Sequence, residues 1–241
     1  MANLSVGIIG QGSFGRFLEQ LLPQIVPEIV VQSISATKAG EEELRSLAQA
    51  DVVVVCVSIK HYLATMERLV PYLEKHTVLV DVATVKAQTT TWLQEHRAVI
   101  TYVATHPMFG PASYEKSGTS IAGFRLVVTD HNLPAAVYQR LQQWLEQIGI
   151  HVIEMEAHTH DRYLAETLFL THFIAQIVTE ADFVRTDIDT VSFGFLMDAV
   201  ESVRDDLSLF QDVYQHNPHC QKVIERLEHA HRRVQSQLRS D

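Results

Sequence analysis

Up to residue 155 the chain alternates two kinds of apolar spacing. Seven short runs are dense in Val, Ile and Leu: LSVGIIG (4–10), EIVVQSIS (28–35), DVVVVCVS (51–58), TVLVDVAT (77–84), ITYVATH (100–106), FRLVVTD (124–130) and IHVIEM (150–155). Runs of that length and composition, bounded by turn-forming residues, predict β-strands. Between them lie stretches with helical spacing. These are 13–22 through Phe14, Phe17, Leu18, Leu21 and Leu22, then 40–50, 61–73 and 134–148, the last with Trp144 and Leu145 on its inner face. The run 51–58 is apolar on both faces, as in a parallel strand covered on each side. Strand–helix alternation of this kind predicts an α/β fold, a doubly wound, Rossmann-type sheet domain over residues 1–157.

Beyond residue 157 only helical periodicity remains, in about three helices at 158–184, 187–213 and 217–239, with Asn217-Pro218 marking the last break. This all-helical C-terminal domain, 158–241, is thin for the width of its apolar stripes. Packing against the first domain or against a second copy would cover them, so a homodimer through the helical domain is expected.

Composition narrows the partners. The 241 residues are 46% hydrophobic and 20% charged, as in an ordinary globular protein. The formal charge of −10 argues against a broad nucleic-acid footprint, and leaves room for a small pocket that takes an anionic metabolite. Cys56 and Cys220 are too few for a disulfide framework, and a reducing cytoplasm is the simple reading. The N-terminus lacks a basic segment followed by an apolar one, and no window reaches about 18 apolar residues, so neither a secretory leader nor a membrane span is expected.

The first strand–helix junction, GIIGQGSFG, places Gly10, Gly12 and Gly15 in G-x-G-x-x-G spacing. Gly10 permits the tight turn, Gly12 lets a pyrophosphate approach the backbone, and Gly15 lets helix and strand pack closely; the helix start then offers N–H groups to the anion. Gln11, Ser13 and Phe14 fill the same loop. Ser58, at the end of the central run, joins this cofactor set. At the end of the second strand a carboxylate would hold the ribose diol of NAD. The chain reads SISATK there, with Ser35, Thr37 and Lys38 and no acid before Glu41, which suits a 2′-phosphate and favours NADP over NAD.

Two later strand ends carry further chemistry. His106 closes the run 100–106, and Pro107 pushes it towards extended geometry. An imidazole so presented is matched to taking a proton from a hydroxyl as hydride leaves the same carbon. The alternative is a packed structural histidine. The loop DVATVKA (81–87) offers the Thr84 hydroxyl and the Lys86 cation, or else a helix cap by Thr84 and a surface lysine.

The glycine motif, DVATVKA, HPMFGP and HTHDRYLAETLFLTHF stand in the order seen in prephenate and arogenate dehydrogenases of tyrosine biosynthesis, and the chain resembles that family over nearly its whole length. The resemblance implies an NAD(P)-binding sheet domain, a helical domain that forms a dimer and part of the substrate pocket, and His106 acting on the substrate's ring hydroxyl. Thr84 stands where the family usually has Ser. His172 matches a histidine that touches substrate in some members. The family commonly has an Arg in the helical domain that grips a substrate carboxylate; Gly194 takes its place here, with Arg185, Arg204 or Lys86 as substitutes. His158, His160 and Asp161 have the look of metal ligands, but a solvated helix start is the expectation and no metal site is assigned. A β-hydroxyacid-type dehydrogenase is a rival reading, although residues 158–184 hold no Lys of the kind those enzymes share. A catalytically silent NADP-binding protein is another.

Overall fold

The computed structural model describes residues 4–239. The chain divides into two compact units, one ending at His158 and the other beginning at Thr159.

The first unit is built on seven strands: β1 (Ser5–Ile9), β2 (Val30–Ile34), β3 (Val52–Val55), β4 (Val78–Asp81), β5 (Thr101–Pro107), β6 (Arg125–His131) and β7 (His151–Glu154). Their order in the sheet is β2-β1-β3-β4-β5-β6-β7. The helices are α1 (Ser13–Ile25), α2 (Glu41–Leu47), α3 (Ile59–Leu69), α4 (Ala87–Glu95), α5 (Pro111–Lys116) and α6 (Ala135–Gln147). Chain order reverses about β1, so the loops after β1 and β3 meet at the carboxyl edge, where open α/β sheets bind ligands. Period-2 alternation decides which side chain faces which helix. Val6 and Ile8 of β1 and Val54 of β3 pack against Phe17, Leu18 and Leu21 of α1. On the opposite face Gly7 leaves room for Leu47 of α2, whose Cγ would lie 2.7 Å from a Cβ at that position.

Two features depart from a uniform doubly wound sheet. β6 runs antiparallel to β5, with a register shift at Ala104/Thr105. The 108–124 connection carries only the six-residue α5 and does not supply the long helical crossover a parallel partner needs. Apolar spacing marks neither α4 nor α5, and a cap at Thr84 is the one sign of α4. The threonine run in α4 has weak helix propensity; Thr91 Oγ1 donates to the Ala87 carbonyl at 2.8 Å, the back-bond that hides such a helix from apolar spacing.

Among the described residues the second unit holds helices and no strand, but not as three helices. The first stretch is α7 (Ala157–Leu164), a π-helical turn (Ala165–Phe169) and α8 (Leu170–Glu180). Then follow α9 (Val191–Val203), α10 (Leu207–His216) and α11 (Cys220–Leu238). The expected helix 187–213 is two. Thr190 starts α9, its side chain accepting from the Phe193 amide at 3.2 Å. The polar triplet Arg204-Asp205-Asp206 separates α9 from α10, with the Arg204 carbonyl satisfied by Gln176 Nε2 at 2.8 Å. Asn217 makes the next break: buried, it donates to the Asp161 carbonyl at 2.7 Å and accepts from the His219 amide at 3.0 Å.

Candidate active site

The glycine turn is fixed by sterics. Gly10 has φ +115°, and a Cβ there would lie 2.2 Å from the Cys56 carbonyl oxygen. Its amide donates to the Ile34 carbonyl at 2.9 Å, tying β1 to β2 where both end. A Cβ on Gly15 would meet the Gly10 carbonyl oxygen at 1.8 Å, so helix and strand touch through bare backbone. Gly12 differs: nothing lies within 4 Å of a Cβ built on it. Protein packing therefore explains Gly10 and Gly15 but not Gly12, whose open side is what an approaching pyrophosphate needs. The α1 start has no side-chain cap and no acidic residue in its first turn, so its N–H groups and dipole stay available to an anion. The residues present fit a dinucleotide. Ser13 opens α1, Phe14 rests on Phe17 with ring centroids 5.8 Å apart, and Gln11 Nε2 donates to the Ser33 carbonyl at 3.2 Å. Ser58, exposed, precedes α3 as its N-cap and makes no side-chain cap bond.

The turn after β2 gathers Ser35, Thr37 and Lys38. The Ser35 and Thr37 hydroxyl oxygens stand 3.4 Å apart, and the Ala39 amide closes the turn on the Ser35 carbonyl at 3.0 Å. Arg68, from α3, is an addition the sequence reading missed. It donates through Nη1 to the Ala36 carbonyl at 2.7 Å and through Nη2 to the Ala39 carbonyl at 2.6 Å. Its polar helix position says only that it is exposed; the contact spans about thirty residues of chain and exists only once the sheet has formed.

At the other strand ends, His106 is 6% exposed near the end of β5. Thr84 is half-buried in the bend before α4. It is not the helix cap, because Lys86 occupies that position and α4 has no side-chain cap. Lys86 corrects both sequence alternatives. It is neither a surface lysine nor a group open to substrate: it is fully buried, paired with the equally buried Asp81, and it donates to the Thr105 carbonyl at 2.7 Å. Thr105 Oγ1 in turn donates to the Asp81 carbonyl at 2.8 Å, and Asp81 Oδ1 accepts from the Ala83 amide at 2.8 Å. Asp81 and Lys86 thus clamp β4 to β5 one residue before His106. Buried nearby charge also marks Cys56, whose thiol is pushed up to about 12 by burial and then by Asp81, which keeps it protonated and inert. The Tyr62 hydroxyl is raised well above its ordinary value by burial and the same carboxylate.

In the helical unit, His172 sits on α8 at 3% exposure, and its ring lies parallel to Phe210 with centroids 6.3 Å apart. Burial lowers its pKa, and the Asp206 carboxylate opposes that shift. Its Nδ1 is buried without a hydrogen-bond partner, so the imidazole is no satisfied core histidine. Of the proposed substitutes for the missing arginine, Arg185 is the one beside Gly194, with Nη1 3.9 Å from a Cβ built there. It is held by Asp198 at 2.6 Å and Glu201 at 2.9 Å. Arg204 instead stands 3.9 Å from Asp205. The HTHD stretch is not the solvated helix start expected of it. His160 and Asp161 are buried and share a 2.9 Å hydrogen bond, while His158 is exposed. Among the described residues no group of three or more His, Cys, Asp or Glu side chains could hold a metal.

A nucleotide-accepting turn at a topological switch point, with a buried imidazole at another strand end, is the layout of a dinucleotide-dependent oxidoreductase. The family model for the prephenate dehydrogenase nucleotide-binding domain matches residues 29–154, just over half of the sequence, and the chain belongs to that family. A second model, the TYRAAT1-like C-terminal domain, matches residues 177–241. Among curated relatives, chloroplastic arogenate dehydrogenase 2 of Arabidopsis thaliana is 28% identical over 254 aligned positions, covering 98% of this chain and 70% of that protein. Chloroplastic arogenate dehydrogenase 1 of the same plant is 27% identical, and the chain spans only 39% of its length. A solved structure of prephenate dehydrogenase from A. aeolicus, in complex with hydroxyphenyl propionate and NAD+, shares the fold with TM-score 0.75 at 15% identity, covering 99% of this chain and 91% of that one. No helix among the described residues is long and apolar enough to cross a membrane.

Proposed function

We propose that the chain is an NADP-linked dehydrogenase that oxidatively decarboxylates prephenate or arogenate, with His106 as the general base. NAD is the second cofactor reading. The observation that carries the proposal is His106 itself: an imidazole buried at a strand end, with its backbone fixed through Thr105 by the Asp81–Lys86 pair, in a chain of this family. Gly10, Gly12, Gly15 and the α1 N-terminus would hold the pyrophosphate, and Ser35, Thr37 and Lys38 the adenosine end. Ser58 would line the same edge. The bound nicotinamide supplies the hydride acceptor.

The protein's part is orientation and proton transfer. His106 accepts the proton of the ring hydroxyl while the carbon bearing it is oxidised, and its burial removes competing water. Thr84 donates a hydrogen bond to the same oxygen. Departure of the ring carboxylate as CO₂ leaves an aromatic ring, which makes the step irreversible. In the helical unit His172, its Nδ1 buried without a partner, is the proposed substrate contact, while Arg185, the cation beside Gly194, is already engaged by Asp198 and Glu201. Lys86 has no direct substrate role in this scheme. Exposed Phe183, Val184, Ile188, Val191 and Phe195 support a homodimer through the helical unit, since a lone chain gains nothing by leaving such a patch in water.

The test is a grid of NADP⁺ and NAD⁺ against prephenate and arogenate, read as absorbance of the reduced cofactor. Turnover in one substrate row supports the reading. Binding of nucleotide with no turnover in any cell of the grid gives the protein to the catalytically silent reading.

A further inference from the structure

We propose that Arg68 determines the preference for a 2′-phosphorylated dinucleotide, by turning the β2–α2 turn into a surface of donors. The inference rests on the dinucleotide reading above and adds a residue to it that lies outside the glycine motif and outside the turn itself.

A dinucleotide's adenosine ribose differs between the two cofactors in hydrogen-bonding sense. A free diol donates, and so needs acceptors; a 2′-phosphate only accepts, and needs donors and positive charge. In the turn after β2 three carbonyl acceptors are taken. The Ser35 carbonyl takes the Ala39 amide at 3.0 Å, the Ala36 carbonyl takes Arg68 Nη1 at 2.7 Å, and the Ala39 carbonyl takes Nη2 at 2.6 Å. No carboxylate ends the strand. Of the three acids that open α2, Glu43 accepts from the Gly40 amide at 2.8 Å and Glu41 stands 4.0 Å from Arg45. What the turn still presents is the Ser35 and Thr37 hydroxyls and the Lys38 ammonium, backed by the remaining N–H groups of the Arg68 guanidinium.

The guanidinium therefore acts twice. It removes two carbonyl acceptors that would otherwise attract a ribose diol, and it adds a charge beside the place a phosphate would take. A lysine at position 68 would keep the charge but lacks the planar, pre-set fork with which the guanidinium spans two carbonyls three residues apart. Because Arg68 is exposed on α3, its replacement leaves the core untouched.

Equilibrium binding of NADP⁺ and NAD⁺ to the full chain tests this, by titration calorimetry with no substrate present and a thermal melt on each variant to confirm folding. Arg68→Met should weaken NADP⁺ by roughly tenfold or more while NAD⁺ holds or improves. Arg68→Lys should fall between wild type and Arg68→Met in its NADP⁺-to-NAD⁺ ratio. If Arg68→Met lowers both affinities by the same factor, or leaves NADP⁺ binding unchanged, the proposal is overturned. A wild-type chain that holds neither nucleotide would instead remove the dinucleotide reading, a result distinct from a ratio that fails to move.

Discussion

Asp81 and Lys86 form a fully buried ion pair at the carboxyl end of β4, and Lys86 reaches past its partner to the carbonyl of Thr105. Burying two charges is costly, and removing one partner leaves the other uncompensated. Lys86→Met should therefore destabilise the chain by about 3–5 kcal/mol in urea unfolding. Asp81→Asn combined with Lys86→Met leaves no buried charge, while the Asn side-chain oxygen can still accept from the Ala83 amide. The double variant should recover at least half of that loss. A double variant as unstable as Lys86→Met alone would show that the pair's role is not electrostatic.

Gly12 and Gly15 should separate ligand binding from packing. Gly15→Ala drives a methyl into the Gly10 carbonyl and should cost several kcal/mol, because backbone on both sides has to move. Gly12→Ala meets open space at an ordinary backbone conformation, φ −70° and ψ −173°, so its melting behaviour should match wild type within about 0.5 kcal/mol. Its affinity for NADP⁺ should nevertheless fall at least about tenfold, since the methyl stands where the pyrophosphate must come. Unchanged affinity in Gly12→Ala would place the nucleotide elsewhere.

What was legible in the sequence was local. The run 51–58 predicts its own strand because both faces are apolar, and the glycine spacing, a strand before it and a helix after, marks the turn at 10–15 without help from distant residues. His106 and its proline were visible for the same reason. What stayed hidden depends on contacts made only after folding. Lys86 reads as a surface or substrate-facing cation until Asp81 and the Thr105 carbonyl close around it. His160 and Asp161 read as a polar helix start, yet Asn217, 56 residues later, donates to the Asp161 carbonyl and both side chains are buried. The antiparallel direction of β6 is not recorded in the strand's own residues; its signal lies in the 108–124 connection, too poor in helix for a parallel crossover.

His106→Asn tests the general base. Asparagine keeps a side chain of similar reach but has no titratable nitrogen, so turnover should drop by roughly 10²–10⁴ while NADP⁺ affinity stays near wild type. Stopped turnover with intact nucleotide binding is the signature sought in a steady-state assay. Near-normal kcat would return His106 to a packing role and move the proton acceptor to another group.

His172 links the helical unit's stability to pH. Burial holds its pKa below the ordinary 6.5, with Asp206 acting against that shift. An unfolded histidine takes its proton near 6.5, the folded one only at lower pH. Over that interval the unfolded chain binds more protons, so stability falls as pH drops. The contribution is whole above about 6.5 and is lost progressively below it. Replacing His172 with Leu removes the titrating group and keeps an apolar side chain against Phe210. Denaturant midpoints measured at about pH 7.5 and about pH 5.5 should then differ less in His172→Leu than in wild type. Equal differences in the two proteins would mean that His172 titrates as it does in water, and that the ring is reached by solvent or by a partner that satisfies Nδ1.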